Sequence, residues 1–232
     1  MELSVVVLCY KAEENIIPFA KKLKLEVSKL TDSYEIVLVG NYHEGTSDKT
    51  AEIINEIAKN DPIFKVTAVV KKGMMGWDVR QGLGFSKGAL LCFIDGDEQF
   101  PIDSISECYN QMKTGKYGLV KTFRAKRKDG FQRAIISNTY NFIFKLLYPS
   151  VKSKDINSKP KMFNRSVYQQ LDLSYDDWFI DAEIMIKISR LGIPFYEFPI
   201  EFAALKNRNS FVNFYTILEF VRNLISYKFK GK

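Results

Sequence analysis

The sequence predicts an α/β domain: a mostly parallel, doubly wound sheet flanked by helices, with amphipathic helices toward its carboxyl end. Three observations carry that expectation. Short apolar, β-branched runs recur without polar alternation, as strands buried on both faces do. Segments of helical periodicity separate them, giving the order strand, helix, strand, helix, strand, helix, strand. The fourth run ends in Asp95, Gly96, Asp97 and Glu98, at the strand end where such sheets bind ligands.

LSVVVLCY, from Leu3 to Tyr10, is the first strand. A helix follows over about residues 13 to 30, with Ile16, Ile17, Phe19, Ala20, Leu23, Val27 and Leu30 as its inward stripe. YEIVLV, from Tyr34 to Val39, is the second strand. The polar loop GNYHEGTSDKT offers Thr46, Ser47 and Asp48 as N-caps for the helix TAEIINEIAKN. Phe64 to Val70 is the third strand, Gly76 to Lys87 the next helix and Ala89 to Ile94 the fourth strand. Beyond the acidic cluster come a helix over 102–114, a strand YGLVKTF and a basic run, RAKRKDGFQR. The aromatic segment from Ile135 to Tyr148 has helical spacing, and its basic neighbour also suits a membrane interface. A polar loop over 150–160 leads to KMFNRSVYQQL, then to a helix IDAEIMIKISRLG with Gly192 as its C-cap. IPFYEFPIEF reads as an edge strand broken by Pro199. The final 23 residues form an amphipathic helix, either a surface anchor or a packing helix. Residues 1–210 are expected to be one domain, with 211–232 part of it or an anchor.

The acidic cluster carries the chemistry. In an extended segment Asp95 and Asp97 point the same way, and Gly96 lets the backbone turn and a ligand approach closely. Two carboxylates so placed suit a hard divalent cation carrying phosphates, and hence a nucleotide diphosphate. An Asp-Gly pair is also a common turn signal, and a turn needs no metal.

With 34 basic and 27 acidic side chains the 232-residue chain has a formal charge of +7, which favours anionic partners. The excess is concentrated in one loop and no recognition motif accompanies it, so nucleic acid is not an expected partner. Cys9, Cys92 and Cys108 lie in or near apolar segments without ligand spacing, as buried thiols of a cytosolic protein do. The first apolar run is too short for a signal peptide, and no window approaches the roughly 18 apolar residues of a membrane span.

Four stretches in order, VVVLCYKAEENI, EGTSDKTAEI, MGWDVRQGLGFSKGALLCFIDGDEQFP and FIDAEIMIKISRLGIPFYEFPIEF, resemble the family 2 inverting glycosyltransferases of GT-A (Rossmann-like) fold. The likeness is strongest to the dolichyl and polyprenyl phosphate sugar synthases and spans the chain to about residue 210. It implies transfer of a sugar from a nucleotide diphosphate sugar to a polyprenyl phosphate, with Mg²⁺ or Mn²⁺ as cofactor. By the same resemblance Asp95, Asp97 and Gln99 surround the metal. Leu8, Tyr10, Glu13, Glu44, Arg80, Asp95, Gly96 and Asp97 contact the nucleotide sugar.

An acceptor phosphate is already ionised and needs cations rather than a strong base. Arg124, Arg127 and Arg133 suit it, because arginine grips phosphate oxygens in a planar fork. Arg133 and Ser137 match positions near the acceptor in the polyprenyl phosphate enzymes. A sugar hydroxyl acceptor would instead need a base, and Asp181 or Glu183 is the candidate. Asp97, Arg133, Asp181 and Glu183 are thus the catalytic candidates. Two other readings stand beside the first: a transferase extending a cell-surface glycan, and a nucleotide-binding module that has lost catalysis. The resemblance also implies a peripheral place on the cytoplasmic face of a membrane; homo-oligomerisation is left open. Departures from the family pattern include Leu8, Lys11 and Ala12 around the tyrosine, and His43 with Glu44 in a loop lengthened by Gly40, Asn41 and Tyr42. Lys159 and Lys161 stand for a glycine and an arginine in SKPKMF, and Lys206, Arg208 and Ser210 represent a later loop only loosely.

Overall fold

A computed structural model describes residues 1–128, 131–204 and 214–229, apart from the side chains of 127, 131–134, 214–218 and 220. The strands are β1 (Leu3–Leu8), β2 (Tyr34–Val39), β3 (Phe64–Thr67), β4 (Leu90–Asp95), β5 (Leu119–Arg127), β6 (Lys161–Asn164) and β7 (Phe195–Phe202). The helices are α1 (Ile16–Val27), α2 (Thr50–Asn60), α3 (Met75–Phe85), α4 (Ser104–Lys113), α5 (Phe131–Leu147), α6 (Arg165–Leu171), α7 (Ile180–Arg190) and α8 (Phe214–Phe229).

The strands form one sheet in the order β3-β2-β1-β4-β6-β5-β7. β1 pairs in parallel with both β2 and β4, β2 with β3, and β5 with β7, whereas β6 runs antiparallel to β4 and β5. The sheet is therefore mostly parallel, as expected, and every residue of β2 is buried. Two apolar layers cover its faces. One joins α1 to β1 and β4 through Phe19, Leu23, Val5 and Cys92; the other joins α3, α5 and α7 to the opposite face through Leu83, Phe144, Ile184 and Phe163.

Several boundaries differ from the sequence expectation. KMFN forms the antiparallel strand β6, a four-residue segment with too little pattern to announce itself. β5 continues to Arg127 because β7 pairs with it as far as Phe202, across an irregularity between Arg124 and Lys126. Pro199 does not break β7. It stands in register with Phe123 on the outermost strand, where a missing N–H need not cost a ladder bond. α7 ends as expected: Gly192 has φ +63°, its N–H donates to Ser189, and that of Ile193 to Ile188, a left-handed cap.

α8 packs along α5, with Leu224 and Tyr227 buried and the Tyr148 hydroxyl donating to the Leu224 carbonyl at 2.8 Å. The expected boundary at 210/211 lies outside the described residues. Among these, no helix is long and apolar enough to cross a membrane.

Candidate active site

The carboxyl ends of β1, β2 and β4 open at one edge, where Leu8 is in register with Val39 on one side and Asp95 on the other. Gly96 holds the acidic turn against β1: its N–H donates to Leu8 O at 3.0 Å. A Cβ there would stand 3.0 Å from Val7 Cγ1 and Ile16 Cδ1 and 3.2 Å from the Leu8 carbonyl, so any larger residue would have to push its neighbours back by a few tenths of an ångström. Asp97, half-buried, accepts the Gln99 N–H at 3.1 Å. Glu98 takes a left-handed conformation, φ +59°, and pairs with Lys22 at 2.7 Å. Gln99 is buried, and its amide donates to Ala203 O at 3.0 Å, tying the acidic turn to the residue after β7.

Tyr10 lies on the other side of the mouth. Lys71 Nζ stands 4.3 Å from its ring centroid, Lys11 Nζ 5.5 Å, and His43 meets its ring edge at 6.1 Å between centroids. Lys71 is paired with Asp78 of α3, both nearly buried, and Asn41 donates to the same carboxylate at 2.9 Å. Burial pushes the Asp78 carboxyl up, and Lys71 and Asn41 oppose it. The lengthened loop continues the β2–β3 ladder: Gly40 donates to Thr67, Tyr42 to Val69 and Lys71 to Tyr42. Lys71, Asp78 and Asn41 escaped the sequence reading, because nothing in spacing pairs residues of different elements. Leu8 is half-buried at the end of β1, while Glu13 and Glu44 are exposed. Glu13 has φ +47°, and its N–H donates to Thr50 Oγ1 at 2.9 Å. Arg80 binds the Asp176 carboxylate and Ser174 O, facing the loop ahead of α7.

Beneath Asp95 lies a buried charge cluster. Lys159 Nζ stands 3.3 Å from Asp95 Oδ2 and 3.3 Å from Asp181 Oδ2, while Lys161 holds the other Asp181 oxygen. The Lys159 side chain is 5% exposed, that of Asp181 1% and that of Asp95 25%, so only Asp95 reaches the cleft. Burial alone would lower the Lys159 ammonium, but Asp181 and Asp95 outweigh it and hold it above its ordinary range. Burial would raise Asp181, yet Lys159 and Lys161 hold it low.

Asp95 and Asp97 are hard oxygen donors at an accessible mouth. They fit a divalent cation whose remaining ligands are diphosphate and water. Among the described residues no cluster of three or more metal-ligating side chains of His, Cys, Asp or Glu occurs.

The remaining candidates are placed elsewhere. Arg124 forms a fork with Asp155, at 2.6 and 2.8 Å, reaches Ser137 Oγ at 3.3 Å and stacks on Phe202. Arg127 and Arg133 have side chains outside the described ones. Lys206, Arg208 and Ser210 also fall outside the described residues. Glu183 is fully buried and accepts from Ser174 N–H and Oγ, Tyr175 N–H and Lys187 Nζ, so it anchors a loop rather than facing the mouth.

A parallel sheet with paired carboxylates at the mouth of its central strand is the frame of a nucleotide-sugar transferase, and comparison with known proteins makes the class definite. The model of glycosyl transferase family 2 matches residues 4–172, and the chain belongs to that family. It is a glycosyltransferase of GT-A-like fold. An undecaprenyl-phosphate 4-deoxy-4-formamido-L-arabinose transferase from Yersinia pestis is 28% identical over 144 residues, 61% of this chain and 42% of that protein. Its counterpart from Photorhabdus laumondii is 30% identical over 142 residues, 60% of this chain and 42% of that one. Glycosyltransferase AglD of Haloferax volcanii is 24% identical over 178 residues, 73% of this chain and 28% of that one. The chain thus spans less than half the length of these relatives. Among solved structures, glucosyl-3-phosphoglycerate synthase from Mycobacterium tuberculosis, in complex with Mn²⁺, UDP and phosphoglyceric acid, superposes with a TM-score of 0.72. At 18% identity, over 97% of this chain and 76% of that one, the likeness shows the fold alone.

Proposed function

We propose that the protein transfers a sugar, with inversion, from a nucleotide diphosphate sugar to a polyprenyl phosphate at a cytoplasmic membrane face. The donor half of this reading rests on the mouth itself, where Asp95 and Asp97 lie across from Tyr10 and Lys71. Asp95 and Asp97 would hold Mg²⁺ or Mn²⁺, which supplies Lewis-acid neutralisation of the leaving diphosphate. The Tyr10 ring offers a stacking face for the base. Lys71, held by the Asp78 carboxylate that Asn41 in turn orients, adds a fixed positive charge beside it.

One observation carries the choice of acceptor. Asp181 and Glu183, the two candidate bases, are both buried in ion pairs. An acceptor that brings its own ionised oxygen fits such a site, because no proton need be removed before attack on the sugar carbon. The names of the Yersinia and Photorhabdus relatives point the same way. α8 is read as part of the catalytic domain, since Asn223 donates to Asp177 just ahead of α7. Exposed Phe142 and Leu146 on α5, with Ile225 and Phe229 on α8, stand among Lys145, Arg222 and Lys228, a pattern suited to a peripheral anionic surface.

The test is nucleotide release from UDP- and GDP-sugars with Mn²⁺, comparing polyprenyl phosphate with free saccharides. Release that depends on the lipid phosphate is expected. Equal rates with a saccharide alone would overturn the acceptor, and no release from any donor would overturn the donor.

A further inference from the structure

We infer that Asn223 of α8 is a positioning residue for the donor site: it fastens the loop over residues 174–177 to α8, so that an anionic lipid surface bound by α8 raises the affinity of the mouth for a nucleoside diphosphate. This deepens the donor-site and surface readings above and rests on both.

The loop is a strut between α3 and α8. α3 begins at Met74 and Met75, whose side chains cannot cap it, and the N–H groups of Met74, Gly76 and Trp77 donate instead to the Asp176 and Asp177 carbonyls, at 2.7, 3.0 and 3.1 Å. The two backbones are in close contact, for a Cβ on Gly76 would stand 2.5 Å from the Tyr175 and Asp177 carbonyl oxygens. On its other side the loop meets α8. Asn223 Nδ2 donates to Asp177 Oδ2 at 2.7 Å, Asp177 Oδ1 takes the Phe179 N–H at 2.8 Å, and the Tyr227 ring lies 5.6 Å from that of Tyr175.

The first turn of α3 reaches both sides of the mouth. Its Asp78 holds Lys71 beside the Tyr10 ring, and its Met75 meets Lys159 Nζ, the partner of Asp95, at 3.6 Å. A shift of the loop therefore moves both flanks together.

α8 is held with less than its full grip. The Tyr227 hydroxyl is buried without a hydrogen-bond partner among the described residues, which offsets part of what burying the ring contributes. The face of α8 opposite Asn223, Leu224 and Tyr227 carries Arg222, Ile225 and Phe229, all exposed. These join Phe142, Lys145 and Leu146 of α5 in one patch only while α8 lies along α5. An anionic bilayer thus binds the docked arrangement best, and a ligand shifts an equilibrium by that difference in affinity. Surface and nucleotide must then raise each other's affinity by the same factor.

UDP and GDP binding with Mn²⁺ is measured by calorimetry in buffer, with phosphatidylcholine vesicles, and with vesicles of equal parts phosphatidylglycerol and phosphatidylcholine. The wild type should bind its preferred nucleotide about fivefold more tightly on the anionic vesicles, the lower end for coupled sites, and no differently on phosphatidylcholine. Asn223→Leu should bind nucleotide about fivefold less tightly in buffer and still sediment with anionic vesicles, but gain nothing from them. Asn223→Gln, which keeps the amide donor, should recover most of the gain. Phe229→Glu should keep the wild-type affinity in buffer and lose the gain together with the surface. A wild type that sediments with anionic vesicles and binds nucleotide no more tightly overturns the inference alone, and an Asn223→Leu that keeps the full gain overturns the role of Asn223. If Asn223→Leu does not melt cooperatively, the wild type and Phe229→Glu decide. A wild type that fails to sediment overturns the inference together with the surface reading, whereas one that binds no nucleotide in any condition overturns it together with the donor site.

Discussion

Glu183→Ala separates a structural carboxylate from a catalytic one. Glu183 accepts hydrogen bonds from Ser174 N–H at 3.0 Å, Ser174 Oγ at 3.0 Å and Tyr175 N–H at 3.1 Å, and it pairs with Lys187 at 2.8 Å. Hydrogen bonds to a charged acceptor contribute about 1.5–3 kcal/mol each, but their sum overstates a single substitution because water enters beside Ser174. Breaking a buried ion pair costs about 3–5 kcal/mol, and that is the expected loss. For a domain of this size it corresponds to a fall in Tm of about 6–20 °C. The damage should spread, because the anchored loop holds α3: Met74 and Trp77 donate to Asp176 O, and Gly76 donates to Asp177 O. Urea titration followed by circular dichroism gives the stability, and initial rates on the folded fraction give the turnover. A variant that melts within a degree or two of the wild type but has lost turnover would refute the reasoning and restore Glu183 as a base.

Asp97→Ala should lower kcat by about 100-fold or more, since metal stabilisation of a leaving group is worth several kcal/mol, and chelation with EDTA should do the same reversibly; both are read by nucleotide release. Arg124→Met should remove about 3–5 kcal/mol by stranding Asp155. Burial would raise the Asp155 carboxyl, but Arg124 and Lys121 outweigh it and hold it well below the usual carboxylate range. Its contribution is therefore full above the unfolded value of about 3.9 and is lost as pH falls below that toward the folded one, so urea midpoints at pH 5 and pH 3 should converge in the variant. Gly88→Ala should cost more than about 3 kcal/mol and reduce soluble yield, because its Cβ would stand 2.5 Å from Ser4 N and 2.7 Å from Leu3 C, both backbone atoms. Phe142→Glu and Phe229→Glu, at positions 69% and 80% exposed, should leave Tm unchanged. Each should weaken sedimentation with anionic vesicles by about 1.5–3 kcal/mol, the worth of one buried phenyl side chain.

The parallel core was legible because doubly buried strands have no polar face to disguise them: β2 was expected over Tyr34 to Val39 and occupies Tyr34–Val39. The acidic turn was equally plain, since both its carboxylates and the glycine between them are adjacent in sequence. What stayed hidden depends on pairing across distance. Lys121 and Lys161 are fully buried, which no local pattern announces, because their partners Glu197 and Asp181 come from other elements. Arg124 was expected to hold a phosphate on the strength of its basic neighbours, and it is held by Asp155, thirty-one residues away. IPFYEFPIEF was expected as an edge strand broken by Pro199; it is the outermost strand, and the pairing runs on through the proline because a missing N–H on the open side costs no ladder bond.

The short reversed strand β6 has a consequence for how this architecture can vary. It meets β4 over four residue pairs and β5 over three, and among the described residues it is the only strand joining the block β3-β2-β1-β4 to the block β5-β7. Within the sheet the two blocks therefore meet along a narrow seam, while the apolar layers and the loop ahead of α7 bridge them on either face. Backbone pairing beyond β6 can therefore change while the ladders among the first four strands keep their partners.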